Sequence, residues 1–153
     1  LLKNYTSEIP VDTTIARIER LLVNAGATGI QKLYTGKHCS AVVFQIQFEP
    51  QTPPVSIKLP ANVESCLNAF WSNYCKSTVK GRKQKADFQD QAARTSWKLI
   101  QDWVEVQVSL IHLKQAEFLQ IFLPYVWDGN RTYFEALRES GFKALLPERS
   151  NQS

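Results

Sequence analysis

The sequence predicts an α+β fold, ordered helix, three-stranded antiparallel meander, helix, long two-faced helix and short C-terminal helix. Three observations carry the prediction. Apolar residues recur at helical spacing before residue 26 and after residue 62, but alternate residue by residue in between. Gly and Pro fall between these periodic segments. From 87 to 123 there is neither Gly nor Pro, and Pro124 is the first residue that must stop a helix.

Taken in order, Asp12 is placed as the N-cap of a helix running to Ala25, with Ile15, Ile18, Leu21 and Leu22 on one stripe and Gly26 to end it. Residues 29–35 and 41–48 read as strands joined by a turn at Gly36-Lys37-His38-Cys39. In the second strand Val42, Phe44, Ile46 and Phe48 alternate with Val43, Gln45 and Gln47. A proline-rich break at 50–54 precedes a third short strand carrying Val55, Ile57 and Leu59. Pro60 ends the sheet, and Asn62 caps a helix with Val63, Leu67, Phe70, Trp71 and Tyr74 at helical spacing, running out near Ser77. A basic linker spans 76–86.

The stretch 87–123 would measure roughly 55 Å as one unbroken helix. A compact domain of this size is about 40 Å across, so the helix overhangs it unless it breaks. It has two apolar flanks. Ala93, Trp97, Ile100, Val104, Val108 and Ile111 form one stripe, and Leu99, Trp103, Val106, Leu110 and Leu113 a second, turned by more than a third of the circumference. The second needs cover from the preceding helix, the C-terminal segment or another copy of the chain. Beyond Pro124, 127–130 is a turn, Thr132 caps a short helix with Phe134 and Leu137 inward, and Gly141 closes it, so that Phe142, Leu145 and Leu146 tuck back.

A length of 153 residues suits one domain, placed at 11–146, with a flexible segment at 1–10 and a disordered tail at 147–153. No run approaches the roughly 18 apolar residues of a membrane span, and no basic-then-apolar leader opens the chain. Met is absent, so position 1 is not expected to be the translated start. Cys66 and Cys75, if on one helix, lie on opposite faces about 13 Å apart, beyond disulfide reach. With Cys39 the only other cysteine, a reducing, cytoplasmic setting is expected. The net charge is +4, yet Lys76, Lys80, Arg82, Lys83 and Lys85 stand together without an acidic residue, leaving −1 for the rest. The basic character is therefore a local patch.

That patch is the clearest handle for a partner. Clustered Lys and Arg neutralise phosphates and release counterions, giving salt-sensitive, sequence-independent nucleic-acid binding, against the plain reading of a solvated linker. A second possibility is an interaction or self-association surface on the long helix, with Trp97, Trp103 and Leu110 as anchors. The third face of that helix carries Lys98, Asp102, Glu105, Ser109 and His112. Asp102, Glu105 and His112 make a weak candidate for metal-assisted hydrolysis, against the reading of a solvated face with a Lys98–Asp102 ion pair. Zinc would have to draw on His38, Cys39, Cys66, Cys75 and His112, whose spacing does not suit it, and no cofactor or resident metal is expected. No phosphate loop, nucleophile elbow or metalloprotease motif occurs, so a non-enzymatic role is favoured.

The order helix, three-stranded meander, helix also occurs in double-stranded-RNA-binding domains, although the second helix lacks their lysine-rich start. Leu59-Pro60-Ala61-Asn62-Val63-Glu64, Gln91-Ala92-Ala93-Arg94 with Trp97-Lys98, Asp102-Trp103-Val104-Glu105 with Gln107, and Phe122-Leu123-Pro124-Tyr125 together resemble a family of small uncharacterised bacteriophage, prophage and mobile-element proteins. The resemblance runs from Asn4 to about Leu146. The family has no assigned activity, so the resemblance transfers no functional residue; it implies a bacterial or phage cytoplasm and work near nucleic acid or against host machinery. Residues 77–88 are more basic than that family's pattern.

Overall fold

The computed structural model describes residues 2–77 and 81–148. The helix α1 (Val11–Asn24) leads into strands β1 (Gly29–Thr35), β2 (His38–Ile46) and β3 (Val55–Pro60), which pair antiparallel in the order β1-β2-β3. Then come α2 (Val63–Lys76), a 3-10 turn (Lys85–Phe88), α3 (Gln89–His112), α4 (Phe118–Phe122) with a 3-10 turn at Leu123–Tyr125, α5 (Tyr133–Glu139) and a last 3-10 turn at Lys143–Leu145. This is the predicted α+β order. Among the described residues no helix is long and apolar enough to cross a membrane.

Alternation in the meander places Val42, Phe44 and Ile46 beside Ile57 and Leu59 on one face, where Phe44 pairs with Ile30 and Ile57. That face meets Ile15, Ile18 and Leu22 of α1 and Trp97, Val104 and Val108 of α3. The two helices also pack on each other, and α2 joins α3 through Cys66, Phe70 and Ala92. Gly36, at φ +62°, makes the two-residue turn that lets Thr35 pair with His38. The second strand thus starts at His38 and ends at Ile46, earlier at both ends than the side-chain alternation alone indicates.

Capping explains most helix ends. Asn62 Oδ1 accepts from Ser65 N at 3.1 Å, and Thr132 Oγ1 accepts from Glu135 N at 3.2 Å. Asp12 does not cap α1: the helix begins at Val11 with Pro10 in the cap position, and Asp12 sits in the first turn, where its charge favours the positive helix end.

The 87–123 stretch is the main correction. It is a 24-residue helix, not an unbroken rod to residue 123. Lys114 takes φ +58°, its N–H donates to Ile111 O, and Gln115 N–H donates to Leu110 O, both at 3.0 Å. These two bonds are the paired closure that usually forms around a C-terminal Gly. At about 36 Å the helix is shorter than the ~40 Å expected across a compact domain of this size. The chain then doubles back, and α4 sets Phe122 between Phe44 of β2 and Trp103 of α3, each pair of rings edge-on with centroids 5.5 Å apart. The C-terminal segment therefore covers part of the second stripe, while Val106 and Leu113 stay 56% and 68% exposed.

Two smaller expectations are also corrected. Phe134 is exposed rather than inward, and Leu145 and Leu146 do not tuck back; Phe134 and Phe142 meet each other near the surface instead, their rings 6.0 Å apart. Within the N-terminal segment, Lys3, Asn4, Tyr5 and Ser7 are hydrogen-bonded to α3. The tail from 149 lies outside the described residues.

Candidate functional site

The polar row on α3 divides. Asp102 accepts from Lys3 Nζ, from Asn4 Nδ2 at 2.9 Å and from Lys98 Nζ at 3.0 Å. Partial burial pushes its carboxyl up, but these three donors outweigh that and hold its pKa at about 2. Gln91 Nε2 donates to Tyr5 O and Ser7 O, Arg94 Nε to Ser7 O, and Thr95 Oγ1 to Asn4 O, at 2.9–3.1 Å. Asp102 is thus the end of a ladder that ties the N-terminal segment to α3. Glu105 and His112 are exposed, and the Ser109 hydroxyl turns back to Glu105 O at 2.8 Å. Among the described residues no three His, Cys, Asp or Glu side chains are grouped to hold a metal ion.

The three anchors fare differently. Trp97 is 1% exposed and belongs to the core, so it offers nothing to a partner. Trp103 is half-buried under Phe122 and Tyr125. Leu110 is half-buried beside the open Val106 and Leu113.

Around the basic segment the chain builds a frame. Lys76 is the last residue of α2, and Arg82, Lys83 and Lys85 follow at the approach to α3; all four are exposed. Lys80 lies outside the described residues. None of these four forms an ion pair with a described acidic residue. Lys83 N–H donates to Tyr74 Oη at 3.1 Å, and a Cβ on Gly81 would come within 3.2 Å of the same hydroxyl, so a small residue lets the strand pass close to α2. Gln84 and Asp87 close a capping box in which Gln84 N–H donates to the Asp87 carboxylate at 2.7 Å. Beside this strap three partly exposed rings pack on one another, Trp71, Tyr74 and Phe88. Lys83 Nζ sits 5.6 Å over the Phe88 ring. The described part of the linker is therefore a bonded strap rather than a free loop. The sequence showed its charges but not its docking, because Trp71 and Tyr74 read as core positions of an amphipathic helix.

A groove of about 790 Å³ opens where the β1–β2 hairpin meets the first turns of α1, α2 and α3. His38 and Cys39 line it, whereas Cys66, Cys75 and His112 do not, so the candidate zinc ligands are not brought together. Burial pushes the Cys39 thiol up, which leaves it a poor nucleophile, and its S–H donates to Ala41 O at 3.5 Å. Asp12, Glu64 and Asp90 stand at the groove, each in the first turn of its own helix, where a carboxylate serves the helix end.

No protein-family profile, curated protein or solved structure matches the chain.

Proposed function

We propose that this protein is a non-enzymatic nucleic-acid-associated protein that grips the phosphate backbone through Lys76, Lys80, Arg82, Lys83 and Lys85, in keeping with its resemblance to phage and mobile-element proteins and with work in a bacterial or phage cytoplasm. The observation that carries the reading is the strap: four exposed cations without a described acidic partner, on a backbone tied at Lys83 to the Tyr74 hydroxyl and at Gln84 to Asp87, with Lys83 Nζ over the Phe88 ring. A backbone held in place loses less conformational entropy when its cations meet phosphates than a free loop does. Hydrolysis at Asp102 is disfavoured, because its carboxylate is engaged by three donors.

The test is an electrophoretic mobility shift with single- and double-stranded DNA and RNA across a salt series. Binding that weakens steeply with salt and is lost when all five cations become Gln supports the proposal. Unchanged retention by the Gln variant at low salt ends it.

A second reading, self-association or capture of a host protein through α3, draws on the open end of the second stripe at Val106 and Leu113. It expects association that survives high salt and is lost on Trp103→Ala or on Leu113→Ser.

A further inference from the structure

Phosphate contacts alone do not separate a single strand from a duplex. What lies beside the cations does. Trp71 and Tyr74 stand three residues apart on one face of α2, their ring centroids 5.6 Å apart and their planes only 29° from parallel. Phe88 closes the group, 5.3 Å from Tyr74 and 6.3 Å from Trp71. The core residues of the same helix, Cys66 and Phe70, are buried with Ala92 of α3; Phe88 packs against that cluster, and Trp71, Tyr74 and Phe88 are each only partly buried. Aromatic rings bordered by cations suit a ligand that alternates flat apolar units with negative charges, which is the chemistry of a nucleic-acid strand.

We infer that Trp71 and Tyr74 form a base-stacking platform for single-stranded nucleic acid, with Lys76, Arg82, Lys83 and Lys85 following the backbone at its border. The inference rests on the nucleic-acid reading and narrows it. A duplex keeps its base faces inside its own stack, so rings on the outside of a helix meet those faces only in a single strand. Tyr74 has a further part as a positioning residue, since its hydroxyl accepts from Lys83 N–H and so sets where the strap passes the rings.

The experiment uses the full chain with an oligothymidylate of about 20 nucleotides, longer than the ~4–16 nucleotide footprint usual for one single-strand module, and a duplex of matched length. Binding is followed by anisotropy and by tryptophan emission. The inference expects the oligothymidylate to bind at least about tenfold tighter than the duplex and to quench emission. Trp71→Phe keeps an aromatic ring for packing and should remove most of the quench, because Trp97 is buried in the core, Trp103 packs under Phe122 and Tyr125, and Trp127 lies against Ser56 at the sheet, none of them at α2. Trp71→Ala should weaken oligothymidylate binding about tenfold and leave duplex binding unchanged, whereas Tyr74→Leu, which also removes the hydroxyl that holds Lys83, should weaken both, with circular dichroism melts confirming that the variants fold. Equal affinity for duplex and single strand, with Trp71→Phe quenched as fully as the parent, overturns the stacking platform but leaves the phosphate reading standing. Absence of binding to either probe at low salt overturns both.

Discussion

Asp102, a candidate catalytic carboxylate in the sequence beside the plainer reading of an ion pair with Lys98, makes that pair and two further hydrogen bonds that pin residues 3 and 4 to α3. Its pKa falls from the ordinary 3.8 to about 2 on folding. A carboxylate depressed in this way contributes its full stabilisation above the unfolded value and loses it as the pH drops toward the folded one. Thermal melts of the parent should therefore lose stability between these two pH values, and Asp102→Asn, starting lower at neutral pH, should lose less over the same window. Parallel curves for the two proteins would show that the carboxylate has no such linkage. Lys114 makes the opposite case, a residue whose conformation works against its type. With φ +58° it occupies the left-handed region, which disfavours side chains carrying a Cβ. Lys114→Gly should raise the unfolding free energy by about 0.5–1 kcal/mol, after allowing for the extra freedom glycine has when unfolded. A loss of stability in urea titrations would contradict the left-handed assignment.

Among the elements, α4 has the largest effect for its length. Phe122 is fully buried against Phe44 and Trp103, so Phe122→Ala should cost about 3–5 kcal/mol and shift tryptophan emission to the red as Trp103 is uncovered. If stability and emission both stay at parent values, α4 does not dock where described. The reason α3 stops early was not legible in the sequence. A Gly at 114 would have announced the end, but Lys stands there, and 113–117 contain nothing that forbids helix. What stops the helix is tertiary: Phe118 and Phe122 gain more by folding onto Phe44 than by continuing into solvent. By contrast the sheet, the Asn62 and Thr132 caps, and the Gly26 and Gly141 stops were all readable, because each is fixed by local chemistry. The N-terminal segment escaped for the same reason as α4. Its carbonyls are held by Gln91, Arg94 and Thr95, some ninety residues away in the chain.

At the scale of the whole molecule, α1 and α3 share one face of the sheet, α2 flanks α3, and the basic strap lies at the outer edge of α2. The sequence located the charges of the candidate interface but missed the rings beside them, since helical spacing cannot tell a core stripe from an edge one. The second apolar stripe of α3 raised the question of a partner copy, and α4 answers it in part from within the chain. Sedimentation across a salt series separates the two readings. Association through Val106 and Leu113 should persist at high salt and vanish in the double Ser variant, while that variant should bind nucleic acid as the parent does. Nucleic-acid binding lost together with self-association would instead mean that the strap works only in an assembled form.

If the cationic strap holds a nucleic-acid backbone as proposed, affinity must fall steeply with salt, and a salt titration of binding is the sharpest test. For a single strand each neutralised phosphate adds about 0.7 to the slope of log affinity against log salt, so five cations predict a slope near −3.5. Changing Lys76, Arg82, Lys83 and Lys85 to Gln should bring that slope below about −1 in magnitude and weaken low-salt binding with it. A parent affinity indifferent to salt, or a slope left intact by the four substitutions, would contradict the account.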